Sequence, residues 1–192
     1  TVQITPVLVQ PKSITRVANT GLGGSPQPVT IGEELEYQLV TRIPVAQLRD
    51  FVIRDELPVG ISCAEAPTIN LSAPPYDVAG FAPGGSFPPT VCDGSAVEWR
   101  FGDQQVTNAA LGPTYDFAIQ FIARVENAAA TNNGGILRNG GTVTVVTASY
   151  TDQVGVRIVL NFDEVAVILR EPAIALTTVT SAPHRATSVA PM

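Results

Sequence analysis

Two cysteines, one histidine and one lysine are the scarcest reactive side chains in this 192-residue sequence, and their placement limits the chemistry open to it. A structural zinc site takes about four Cys or His ligands, whereas Cys63 and Cys92 form no CxxC and the one histidine, His184, is far away. No metal and no other cofactor is expected. The cysteines are expected to pair as a disulfide, which implies an oxidising compartment; the alternative is two inert buried thiols. Closing a loop of this length would contribute about 3–4 kcal/mol. His184 lies in the C-terminal tail, so no Ser/His/Asp constellation forms within a core. Glu33–Glu34 and Asp163–Glu164 are carboxylate pairs of the type used by glycosidases, but without an aromatic-lined cleft they read as solvated strand ends. Asp93, Asp103, Asp152 and Asp163 could face calcium at loop tips, yet none belongs to an Asp-x-Asp-x-Asp ladder. Gly21-Leu22-Gly23-Gly24 precedes Pro26 and Pro28 rather than a helix, a weak phosphate cradle. Asn70-Leu71-Ser72 has the form of a glycosylation sequon. A turnover enzyme is not expected.

The elements that must position these residues are strands. Gly and Pro number 16 each, scattered between short Val/Ile/Thr-rich runs, a mixture that favours strands and turns over helices. Period-two alternation recurs, and it assigns each strand an inward face. Leu35, Tyr37 and Leu39 alternate with Glu34, Glu36 and Gln38. Phe51, Ile53, Asp55 and Leu57 form another such face, Val97, Trp99 and Phe101 a third, and Tyr115, Phe117, Ile119, Phe121 and Val125 a fourth. Further strands are expected at 5–17, 141–151 and 155–169. Seven or more strands with turn signals between them predict an all-β fold, an immunoglobulin-like β-sandwich. The net charge of −6 gives no basic face for a nucleic acid, and no apolar run reaches the roughly 20 residues of a membrane span.

Residues 61–95 interrupt the pattern with six prolines and several glycines, and Cys63 and Cys92 sit near the two ends. This segment reads as a long disulfide-stapled insertion; the functional alternative is a binding loop in which Tyr76, Phe81 and Phe87 meet a host or matrix ligand. The chain's ends resemble each other, Thr5-Pro6-Val7-Leu8-Val9-Gln10 against Glu171-Pro172-Ala173-Ile174-Ala175-Leu176. Residues 1–170 are therefore expected to form the sandwich domain. Residues 171–192 would be a linker, the first strand of a following copy, or a strand (172–180) offered to another copy of the chain.

Val29-Thr30-Ile31-Gly32-Glu33-Glu34 leads into Leu35 and Tyr37, and is followed by Asp55-Glu56-Leu57-Pro58-Val59-Gly60. Later come Asn133-Gly134-Gly135, Asn139 and the Glu171-Pro172 junction. In this order the motifs resemble the extracellular repeat and isopeptide-forming domains of bacterial fimbrial and surface proteins. The resemblance spans most of the chain except 61–95. It implies a structural module of a repetitive surface protein or fibre, bacterial and extracellular, with an adhesive module as the alternative. It also implies that a lysine on the first strand, here Lys12, joins an asparagine on a late strand, here Asn139, assisted by a buried acid, here Asp55.

Parity supports part of this trio: Asp55 shares a face with Phe51, Ile53 and Leu57, and Asn139 with Leu137, Val143 and Val145. Lys12 shares one with Leu8 and Ile14 but also with Gln10. Burial would favour a neutral, nucleophilic amine and a protonated acid able to polarise the carboxamide. Attack would release ammonia and leave an amide, once per molecule, closing a loop worth about 5 kcal/mol. The plainer roles are a hairpin for Asn139-Gly140, a strand-end acid satisfied by turn amides for Asp55, and a solvent-seeking amine for Lys12.

Overall fold

The computed structural model describes residues 9–18, 21–44, 46–65, 91–105, 114–128 and 134–171. These contain twelve strands and no helix. In chain order the strands are β1 (Lys12–Val17), β2 (Gln27–Val29), β3 (Glu34–Pro44), β4 (Gln47–Glu56), β5 (Ile61–Glu65) and β6 (Val91–Cys92). Then follow β7 (Ala96–Gln105), β8 (Thr114–Val125), β9 (Ile136–Asn139), β10 (Val146–Thr151), β11 (Arg157–Asn161) and β12 (Val165–Leu169). They pair into a four-stranded sheet β1-β3-β8-β5, a five-stranded sheet β11-β10-β4-β7-β6 and a three-stranded sheet β2-β12-β9. The fold is an all-β sandwich of immunoglobulin-like character.

Strict alternation builds the core. Leu35, Tyr37, Leu39 and Ile43 of β3 are fully buried, while their even-numbered neighbours are half-covered or, at Arg42, exposed. Ile119, Phe121 and Ala123 of β8 lie on the same side, since β3 pairs with β8 antiparallel and Tyr37 stands opposite Phe121. From the five-stranded sheet come Phe51 and Ile53 of β4, Val97 and Trp99 of β7, and Ala148 of β10. The sheets meet through aromatic rings: Trp99 lies 5.7 Å from Phe121, which in turn stacks 5.3 Å from Tyr37. Burying each such side chain stabilises by about 1.5–3 kcal/mol, so these contacts fix the facing of the sheets. The third sheet adds Val29, Leu137, Val167 and Leu169 to the same core.

Cys63 and Cys92 form a disulfide with Cα atoms 5.4 Å apart. Cys63 is on β5 and Cys92 on β6, so the bond ties the edge of the four-stranded sheet to the edge of the five-stranded one. Within the segment 61–95, read from sequence as a long insertion, 61–65 and 91–92 are strand.

Three expectations about strands are corrected. The run 155–169 is two strands, because β11 pairs with β10 whereas β12 pairs with β2 and β9. The chain changes sheet at Phe162, which is buried at the crossing. The strand expected from 141 starts at Val146; residues 140–144 form a turn closed by bonds from the N–H groups of Val143 and Thr144 to the Gly140 carbonyl. The strand expected over 5–17 runs from Lys12 within the described residues. The proposed tail strand 172–180, the sequon at Asn70 and the ring trio Tyr76, Phe81 and Phe87 lie outside the described residues.

Candidate functional site

Lys12, Asp55 and Asn139 come from three different sheets and meet in one buried site. Lys12 opens β1, opposite Leu39. Asp55 lies near the end of β4, between Val97 of β7 and Val146 of β10. Asn139 closes β9, opposite Val165. The side chains of Lys12 and Asp55 are wholly out of solvent, and Asn139 is equally buried. Lys12 Nζ donates to Asp55 Oδ2 at 2.7 Å and lies 5.1 Å from the centre of the Tyr37 ring.

Burial is the largest influence on both charged groups. It lowers the Lys12 pKa and raises that of Asp55, and the attraction between them only partly opposes this. The pair is thereby pushed towards a neutral amine beside a carboxylic acid that share one proton. Burial and the nearby Asp55 raise the Tyr37 pKa, so its phenol stays protonated. The neighbouring Asn139 carboxamide pulls the Asp55 and Tyr37 values the other way. Even so, Asn139 Nδ2 and Asp55 Oδ1 complete no hydrogen bond in the resting geometry. On its other side Asn139 Oδ1 accepts from Thr144 Oγ1 at 3.0 Å.

The plainer roles fit less well. Asn139-Gly140 is not a two-residue hairpin, because β9 pairs with β12 and β10 with β4 and β11. Positive φ there belongs to Gly140 and Gly141, not to Asn139. Lys12 does not reach for solvent, and Asp55 faces Lys12 rather than turn amides. Gln10, which made the Lys12 face ambiguous, is itself buried, and its Oε1 accepts from the Arg42 N–H at 2.7 Å. The parity placing Val143 and Val145 beside Asn139 is wrong: both are about half exposed, in or just after the turn. Tyr37 and Thr144 went unnoticed as site residues. Tyr37 reads in sequence as core alone, and Thr144 reaches the site only through the turn.

That turn demands glycine. Gly140 has φ +104°, and a Cβ built on it would lie 2.6 Å from the Asp163 carbonyl oxygen. Gly140→Ala should lower unfolding free energy by about 2–3 kcal/mol through strain and overpacking, read from denaturant melts. An unchanged midpoint would show that the turn relaxes freely.

Several other acidic candidates have structural partners. Glu33, expected in solvent, is fully buried and its Oε2 accepts from the Thr30 N–H at 2.8 Å. Glu34 pairs with Arg124, and Glu164 with Arg138. Asp93 Oδ1 accepts from the N–H groups of Ser95 and Ala96, and Asp152 Oδ1 from those of Val154 and Val156. Among the described residues no group of three or more His, Cys, Asp or Glu could hold a metal ion, and no helix is long and apolar enough to cross a membrane.

Among the solved structures similar to this chain are pilin subunits. BcpA, the major pilin subunit of Bacillus cereus, matches at 14% identity and a TM-score of 0.47, over 82% of this chain and 40% of that one. The chain thus spans about 40% of the pilin's length. The RrgB pilus backbone of Streptococcus pneumoniae matches at 14% identity and 0.32, over 85% and 79%. ACE19, the collagen-binding subdomain of the Enterococcus faecalis surface protein ACE, matches at 8% identity and 0.38, over 88% and 100%. No family model and no curated protein sequence matches the chain. At these identities and scores the likeness transfers no residue role, ligand or mode of assembly.

Proposed function

We propose that this chain is a structural module of an extracellular surface protein or fibre, locked by an amide between Lys12 and Asn139 that it forms on itself. One observation carries the reading: the chain's single lysine is buried 2.7 Å from a buried aspartate, with a buried asparagine acting on the same carboxyl group. An ion pair in an apolar core contributes little to stability compared with apolar side chains of similar volume. A nucleophile, a proton shuttle and an acceptor in one dry place have a chemical use. The amine attacks Asn139 Cγ, the Asp55 carboxylic acid gives its proton to Nδ2 and takes one from the amine in its place, and ammonia leaves. The disulfide supports an oxidising, extracellular setting. The likeness between the segments around Pro6 and Pro172 supports assembly with further copies, in tandem or as a polymer.

The test is the intact mass of the denatured, reduced protein. It should fall short of the sequence mass by one ammonia, and Lys12→Ala should restore the full value. A proteolytic map should show one branched peptide joining Lys12 to Asn139. A full mass in the folded wild type, with both peptides unlinked, would leave the three residues as an ordinary buried polar cluster.

A further inference from the structure

The Thr144 hydroxyl sits where charge would develop as Lys12 attacks. It accepts from the Gly140 N–H at 2.8 Å and donates to Asn139 Oδ1 at 3.0 Å. A threonine hydroxyl has one proton to give. With the Gly140 N–H already directed at its oxygen, that proton is directed at Oδ1. The turn holds it there: Gly140 and Thr144 are joined by backbone and side-chain bonds, and only glycine fits at 140 beneath the Asp163 carbonyl. The carboxamide is therefore held by its oxygen, with Oδ1 on a fixed donor, while the buried Nδ2 has no hydrogen-bond partner.

We propose that Thr144 is a catalytic residue of the cross-linking step, its hydroxyl stabilising the oxyanion that forms on Asn139 Oδ1. This inference rests on the cross-linking reading above. As the Lys12 Nζ–Asn139 Cγ bond forms, the carbonyl electron pair moves to Oδ1, where the Thr144 O–H holds it. A proton passes from Nζ through Asp55 to Nδ2. The pair on Oδ1 re-forms the carbonyl as the Cγ–Nδ2 bond breaks and ammonia departs. Amine and carboxamide give amide and ammonia, with no co-reactant. A donor already in place on the oxygen costs no reorganisation during the reaction, and removing one such donor slows acyl transfer by about 100-fold or more.

The step can be timed in the full chain made by cell-free synthesis, with samples quenched in denaturant and the Lys12–Asn139 branched peptide quantified by mass spectrometry. The branched peptide also separates the cross-link from a succinimide at Asn139-Gly140, which loses ammonia too but leaves Lys12 free. Thr144→Val, close in shape but lacking the hydroxyl, should cross-link about 100-fold more slowly, whereas Thr144→Ser should stay close to the wild-type rate. Both substitutions are repeated in the Lys12→Ala background, where no cross-link forms and melting reports folding alone. Thr144→Ala serves as a second hydroxyl-free variant should valine disturb the turn, and should be slowed alike. Wild-type rates in a folded Thr144→Val or Thr144→Ala would overturn the assignment, as would serine being as slow as valine. No branched peptide in the wild type would overturn the cross-linking reading itself, and this inference with it. Slow Thr144→Val beside a cross-linking wild type and serine variant would sustain both.

Discussion

In an Asn139→Ala background, where no cross-link can close, Asp55→Ala should lower the unfolding free energy by about 3–5 kcal/mol. The cause is not a lost attraction alone. Removing Asp55 leaves the Lys12 amine in the core with its one hydrogen-bonded carboxylate gone, and the fold must keep it neutral or open to hydrate it. Replacing both groups together, as Lys12→Met with Asp55→Leu, should come out near neutral or stabilising in the same background, because neither buried group then has to leave water. Guanidinium melts of the three proteins measure this asymmetry. If Asp55→Ala cost less than the double replacement, Lys12 would have to reach solvent when unpaired, contrary to its full burial.

The second large effect is mechanical. A bond between Lys12 and Asn139 would carry tension past a sequence separation of 139 − 12 = 127. In reducing buffer, single-molecule stretching of the wild type should release about 420–460 Å less chain than stretching of Lys12→Ala. The disulfide spans 92 − 63 = 29 residues inside that loop. Reduction should therefore lengthen Lys12→Ala by about 100 Å and leave the wild type unchanged. Equal extension of the two reduced proteins would mean that the strands are held by hydrogen bonds alone.

The long central strands were legible because they bury one face and show the other. β3, β4, β7 and β8 each run ten residues or more with an apolar residue at nearly every second position. The short strands were not. β2 has three residues with Pro28 at its centre, tolerable on a sheet edge and unreadable as strand from sequence. The run 155–169 misled because Phe162 continues the apolar count while the chain crosses between sheets. Within the site, Lys12 stood out by being the only lysine and Asp55 by lying on an apolar face. Asn139 was singled out by the motif before it, and the parity offered in support used two valines that are exposed. Thr144 was invisible, since what aims its hydroxyl is a turn whose closure no alternation encodes.

The three residues also depend on three separate pairings. Lys12 faces inward only while β1 is in register with β3, Asp55 only while β4 lies between β7 and β10, and Asn139 only while β9 lies on β12. A slip of one residue in a strand turns its side chain to the opposite face. Chemistry between them would therefore act as a final inspection, since the bond can close only in a chain whose three sheets are all correctly assembled. Molecules that failed would be told apart for good, because they would keep both ends of the unformed bond and remain open to proteases.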